Sequence, residues 1–168
     1  NLEATIDRAF ELGITHIETA RGYGTSERQL GPALARHPRD RMILQTKVLP
    51  VDDAVVFERN LADSFKRLQV DYVDLLSIHG VNTARALDQT LRRGGCLDVV
   101  ERWQREGRVR HIGFSTHAAT PVILEAIASD RFAYVNLHYY FIFQDHRAAI
   151  AAARARDMGV FIISPTDK

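Results

Sequence analysis

Apolar residues along the chain recur in six short runs, separated by longer segments in which apolar and polar positions alternate with a helical period. The runs are rich in Ile, Val, Leu and Tyr, which is typical of parallel strands that are covered on both faces. They predict strands over residues 15–19, 42–46, 72–78, 109–115, 134–137 and 160–163. Repeated strand and helix units without strand-strand pairs favour a parallel α/β sheet, either a (β/α)8 TIM barrel or a doubly wound open sheet.

The segments between the strands carry helix signals of two kinds. Apolar residues three or four apart lie on one face of a helix, and the clearest set is Phe57, Leu61, Phe65 and Leu68. Ser26 followed by Gln29 is a capping-box pattern, which predicts that a helix begins after Ser26. Gly159 is predicted to end a helix in a left-handed conformation.

Chain length changes this picture. A (β/α)8 barrel typically needs about 250 residues, whereas this chain has 168 residues and six predicted strands. The chain opens within a predicted helix and stops directly after a predicted strand. We therefore expect a single α/β domain over residues 1–168, an incomplete TIM barrel that lacks its first strand and its last one or two units. Alone, such a piece would leave sheet edges unpaired.

Composition narrows the function classes. The 22 basic and 21 acidic side chains nearly balance, and the formal charge is +1, so neither a nucleic acid nor a membrane surface is expected as a partner. A single cysteine, Cys96, cannot form an internal disulfide. Without a signal-peptide pattern or a bilayer-length apolar run, a cytoplasmic location is the default expectation. The sequence gives no indication of the oligomeric state.

The predicted strand ends carry the candidate chemistry, because in a parallel barrel the reactive groups follow the carboxyl ends of the strands. Glu18 ends the first strand, Tyr23 follows in its loop, Lys47 ends the second strand and His79 the third. Each alone could be structural. Together they could form a proton donor, because an ammonium beside a phenol stabilises the phenolate.

These residues stand in motifs that resemble the aldo-keto reductase family. The run HIETARGYGTSERQLG (residues 16–31) is similar to the family stretch with the catalytic acid and tyrosine, and Thr46-Lys47 to the lysine motif. Residues 75–79 resemble the histidine strand and residues 112–115 the strand beside the nicotinamide. The resemblance extends over residues 1–168, and residues 157–165 look like a bacterial branch of the family.

The resemblance implies an NAD(P)H-dependent oxidoreductase that reduces an aldehyde or ketone to an alcohol. Tyr23 would protonate the carbonyl oxygen, Lys47 and Glu18 would tune Tyr23, and His79 would orient the carbonyl. The family pattern places cofactor contacts at Ser115, Thr116, Asn136 and Ser164. The physiological substrate and the choice between NADPH and NADH depend on segments that this sequence does not identify.

Glu18 departs from the family pattern, which usually has an aspartate at this position. The extra methylene lengthens the side chain by about 1.5 Å, while the charge is retained. We hypothesise a working site with an adjusted local backbone.

Four alternatives remain open from the sequence. Lys47 could form a Schiff base in an aldolase. A metal-dependent hydrolase could use ligands drawn from His16, Glu18, His79, His117 and His138. The Gly22-Tyr23-Gly24 run is a partial dinucleotide fingerprint, with Glu27 where a third glycine is needed. Finally, some barrels of this kind serve as regulatory subunits that bind the cofactor with little turnover.

Overall fold

The structure is a computed structural model that describes residues 2–164, in which helices and strands alternate. The strands are β1 (His16–Glu18), β2 (Ile43–Val48), β3 (Val73–Ile78), β4 (Val109–Ser115), β5 (Tyr134–Leu137) and β6 (Gly159–Ile162). The helices are α1 (Leu2–Glu11), α2 (Ser26–Leu34), α3 (Ala54–Leu68), α4 (Ala84–Leu91), α5 (Cys96–Arg105), α6 (Thr120–Ala128) and α7 (Arg147–Arg154), with a 3₁₀ turn at Arg39–Arg41. The six predicted strands are all confirmed: β4 and β5 have the predicted ends, and the ends of the other four differ by at most two residues.

The sheet order decides between the two predicted architectures. The strands follow one another as β1-β2-β3-β4-β5-β6, and every neighbouring pair is parallel. A doubly wound sheet would instead reverse its strand order at a switch point. The sheet curls into part of a barrel with helices around it, so the prediction of an incomplete (β/α)8 barrel is confirmed.

Helix α3 shows how the sequence forms its outer layer. The Asp53 carboxylate caps the helix by accepting hydrogen bonds from the backbone N–H groups of Val55 and Val56. Gln69 ends it in the left-handed region at φ 58°. The predicted apolar face, Phe57, Leu61, Phe65 and Leu68, is buried, and the helix therefore packs through this face.

Two local predictions were wrong. Ser26 is the first residue of α2 rather than its cap, and Thr25 occupies the cap position without a side-chain cap hydrogen bond. The Ser26 hydroxyl instead lies 2.7 Å from that of buried Thr19. Gly159 begins β6, and Asp157 takes the left-handed conformation at φ 56°, because the turn after α7 is completed two residues earlier than the glycine suggested.

Candidate active site

The four predicted catalytic residues come together at the carboxyl end of the sheet. Glu18, Lys47 and His79 lie at or just after the ends of β1, β2 and β3, and Tyr23 lies in the loop after β1. They line one cavity of about 520 Å³. The other residues in its wall are Ser115, His117, Ile162, Ile163 and Ser164.

Lys47 is the centre of the site. The residue is 1% exposed, and its Nζ atom lies 2.5 Å from Glu18 Oε1, 3.2 Å from the Thr19 carbonyl oxygen and 3.4 Å from the Tyr23 hydroxyl oxygen. An ammonium group has three hydrogens to donate, and each has an acceptor here. The Glu18 side chain is 33% exposed, so the ion pair is buried at the lysine end and reaches water at the carboxylate end.

Tyr23 is presented to the cavity by a tight loop. Its N–H donates to the Ala20 carbonyl at 3.0 Å, and its own carbonyl accepts from the Ser26 N–H at 3.0 Å. The residue is 50% exposed, and Lys47 Nζ lies 4.9 Å from its ring centroid. Buried Lys47 on one side and open cavity on the other are what a proton donor to a bound molecule requires.

His79 faces Tyr23 across the cavity, with the two ring centroids 5.5 Å apart in an edge-to-face arrangement. Burial, followed by the nearby charges of Lys47 and His117, lowers the pKa of His79 from 6.5 to about 4. The imidazole is therefore neutral near pH 7, where it can donate one hydrogen bond without carrying charge.

The predicted cofactor residues fall into two groups. Ser115 and Ser164 lie in the cavity wall. Ser115 Oγ accepts a hydrogen bond from the Gly80 N–H at 3.1 Å, which leaves its hydroxyl hydrogen for a bound molecule. Thr116 and Asn136 are fully buried, and Thr116 Oγ1 holds the loop by donating to the Val81 carbonyl at 2.7 Å. Pro165, which follows Ser164 in the matched motif, lies outside the described residues.

Three wall residues were not among the predicted site residues. His117 follows the end of β4, and its sequence pattern indicates only a candidate metal ligand. Ile162 and Ile163 belong to the strand predicted over residues 160–163, and their position at its carboxyl end could have indicated the cavity.

Within residues 2–164, no three His, Cys, Asp or Glu side chains converge as a metal ion would need. The metal-hydrolase alternative therefore has no ligand set in the described part of the chain. No helix between residues 2 and 164 is both long and apolar enough to cross a bilayer.

Comparisons with known proteins identify the family of the chain. The model of the aldo/keto reductase family matches residues 1–168. The chain belongs to the aldo-keto reductase family. Among curated relatives, it is 32% identical over 121 residues to L-galactose dehydrogenase of Arabidopsis thaliana, which covers 67% of this chain and 37% of that protein. It is 28% identical over 172 residues to probable aldo-keto reductase 1 of Glycine max, covering 95% and 47%.

The solved structure of an aldo-keto reductase from Bacillus halodurans in its holo form superposes with a TM-score of 0.81 at 25% identity. The match covers 95% of this chain and 55% of that one. The chain thus spans about a third to a half of the length of the curated relatives it matches.

Proposed function

We propose that the protein is an NAD(P)H-dependent aldo-keto reductase that reduces an aldehyde or ketone to an alcohol. The observation that carries this proposal is the contact of the Tyr23 hydroxyl with the buried Lys47 ammonium, at 3.4 Å, beside an open cavity. The bound nicotinamide would supply hydride to the carbonyl carbon. Tyr23 would give its proton to the carbonyl oxygen, and Lys47 would stabilise the phenolate that is left.

The residues present suit a nicotinamide cofactor. The wall of the cavity offers the Ser115 hydroxyl at the end of β4 and Ser164 after β6, both with donors for a carboxamide or phosphate oxygen. Thr116 and Asn136, which the family resemblance also assigns to the cofactor, have their side chains engaged within the protein. The dissociation constants of NADPH and NADH would decide which of the two is the cofactor.

His79 would orient the substrate. A neutral imidazole at this place would donate a hydrogen bond to the carbonyl oxygen and direct that oxygen toward Tyr23. Because the pKa of His79 is lowered to about 4, this role would persist through the physiological pH range.

The Schiff-base alternative is disfavoured by the surroundings of Lys47. An attacking amine must be uncharged, whereas Lys47 Nζ lies 2.5 Å from a carboxylate oxygen and donates to two further oxygens. Those three contacts occupy the nitrogen as a hydrogen-bond donor. Borohydride trapping of a carbonyl compound on Lys47 would reverse this conclusion.

The proposal is tested by following NADPH and NADH oxidation by the full-length protein with a panel of aldehydes and ketones. L-Galactose with oxidised cofactor is added because the Arabidopsis relative is an L-galactose dehydrogenase. Tyr23→Phe keeps the ring and removes the donor, and should lower kcat by at least about 100-fold, the usual worth of a general acid, with cofactor binding retained.

Two outcomes would contradict this proposal. Turnover that survives in Tyr23→Phe would exclude Tyr23 as the proton donor. Slow single-turnover oxidation of the bound cofactor in the wild type would instead favour the regulatory alternative.

A further inference from the structure

A group of polar side chains lies inside the barrel, beneath the cavity. Gln45, Ser77 and Asn136 are each 0% exposed. Gln45 Nε2 donates to Asn136 Oδ1 at 3.0 Å, and Ser77 Oγ lies 3.4 Å from the same oxygen. Gln45 Nε2 also lies 3.1 Å from Ser77 Oγ. These three side chains, which we call the interior triad, are not required by the mechanism above.

The triad fixes which way the Asn136 amide faces. With Oδ1 engaged by Gln45 and Ser77, Nδ2 points at Glu18 Oε2, 3.5 Å away. The opposite orientation would bring an amide oxygen against a carboxylate oxygen, which is repulsive. The two oxygens of Glu18 are therefore divided, with Oε1 on Lys47 and Oε2 facing Asn136.

The fold makes room for this arrangement at one glycine. Tyr134 and Asn136 are two residues apart on β5 and face the same side, and Gly113 on β4 pairs with Tyr134. A Cβ atom at Gly113 would lie 2.5 Å from three ring carbons of Tyr134. Its absence lets the Tyr134 ring pass over β4 so that its hydroxyl lies 3.0 Å from Ser77 Oγ on β3.

We propose that Asn136 is a positioning residue for Glu18, and that Gln45 and Ser77 hold its amide in the orientation this needs. A glutamate has one more rotatable bond than an aspartate, so a second anchor restricts where its carboxylate sits. Asn136 thereby acts on Tyr23 through Glu18 and Lys47. This inference rests on the proposed function and replaces the predicted contact of Asn136 with the nicotinamide.

The test is a double-mutant cycle in the full-length protein between Asn136→Ala and Glu18→Ala. If Glu18→Ala does not fold, Glu18→Asp takes its place in the cycle. A hydrogen bond to a charged group is worth enough to change kcat about tenfold. We expect Asn136→Ala to lower kcat by about that factor. The dissociation constant of NADPH, measured by fluorescence, should stay within about twofold. In the Glu18→Ala background, the loss of kcat caused by Asn136→Ala should disappear.

A second readout needs no turnover. The same cycle is measured by chemical denaturation without cofactor, where we expect the two substitutions to be non-additive. Thr46→Val is the matched control. It also removes a buried hydrogen bond, which Thr46 Oγ1 donates to Glu27 Oε1 at 2.7 Å. Thr46 lies on β2, on the face of the strand opposite to that of Gln45 and Lys47. It should destabilise the fold, and its unfolding energy should add to that of Glu18→Ala.

Three results would overturn the inference. One is an increase of about tenfold or more in the dissociation constant of NADPH with kcat retained, which would assign Asn136 to the cofactor. The second is an equal loss of kcat on Asn136→Ala in the wild type and in the Glu18→Ala background. The third is additivity of the unfolding energies of Asn136→Ala and Glu18→Ala. If the wild type reduces no carbonyl compound, the proposed function fails by itself, and the denaturation cycle still decides whether Asn136 is coupled to Glu18.

Discussion

Glu18→Asp is the most informative single substitution, because it restores the residue that is usual in the family and shortens the side chain that forms an ion pair with Lys47. Removing one methylene withdraws the carboxylate by about 1.5 Å when the backbone stays in place. The present distance between Glu18 Oε1 and Lys47 Nζ is 2.5 Å. The two charges would then be about 4 Å apart.

The cost follows from Coulomb's law. At an effective dielectric constant of about 20, the attraction falls from about 7 to about 4 kcal/mol over this change. The Glu18 side chain is 33% exposed, so solvent screening reduces the difference to about 1 to 2 kcal/mol. If the loss is felt at the Tyr23 proton transfer, kcat falls by about 5- to 30-fold.

Steady-state kinetics with the best carbonyl substrate measure this effect, with the dissociation constant of the cofactor as the control. Glu18→Gln is the companion variant, because it keeps the length and removes the charge. It should cost stability, since Lys47 would be left buried without its counter-ion. If Glu18→Asp raised turnover by orders of magnitude, the site would not be adjusted to glutamate and our reasoning would be refuted.

Three further predictions follow from packing and charge. Gly31→Ala should destabilise the fold by about 1 to 3 kcal/mol, because its Cβ would overlap the Arg67 carbonyl oxygen. Chemical denaturation measures the free energy of unfolding. The control is Arg28→Ala, at an exposed position of the same helix, which should change that energy by less than about 0.5 kcal/mol. Gly113→Ala should cost a similar amount, and Tyr134→Leu should relieve it, so additive energies for the pair would contradict the close contact. His79 should titrate with a pKa of about 4 by NMR. Since the unfolded chain then binds more protons between pH 4 and 6.5, the His79 contribution to stability should rise with pH across that window, and a titration near 6.5 would contradict it.

Much of the fold could be predicted because the central strands are largely buried on both faces. A continuous apolar run such as that of β3, whose six residues are all buried, is visible in the sequence without knowledge of its partners. Local ends were harder to predict. The Ser26 pattern misled because the hydroxyl of Thr19, seven residues earlier in the chain, engages its side chain. Such competition between a cap and another hydrogen bond leaves no sequence signal.

The candidate site could be predicted to the extent that each residue follows a strand. That rule brought Glu18, Tyr23, Lys47 and His79 to one cavity. It could not show that Asn136, although on a strand with its side chain inward, turns its amide to Glu18. That orientation is set by Gln45, which is 91 residues away in sequence.

The charges of the site also bear on which group would supply the proton. Lys47 contacts the Tyr23 hydroxyl, and its charge acts on His79. Burial, followed by the charge of Lys47, lowers the pKa of His79 to about 4. Near pH 7 almost no His79 carries a second proton, so a proton transferred to a bound carbonyl would come from Tyr23. A change that weakens the Glu18–Lys47 pair would therefore leave His79 neutral, and its effect on proton transfer would arise at Tyr23.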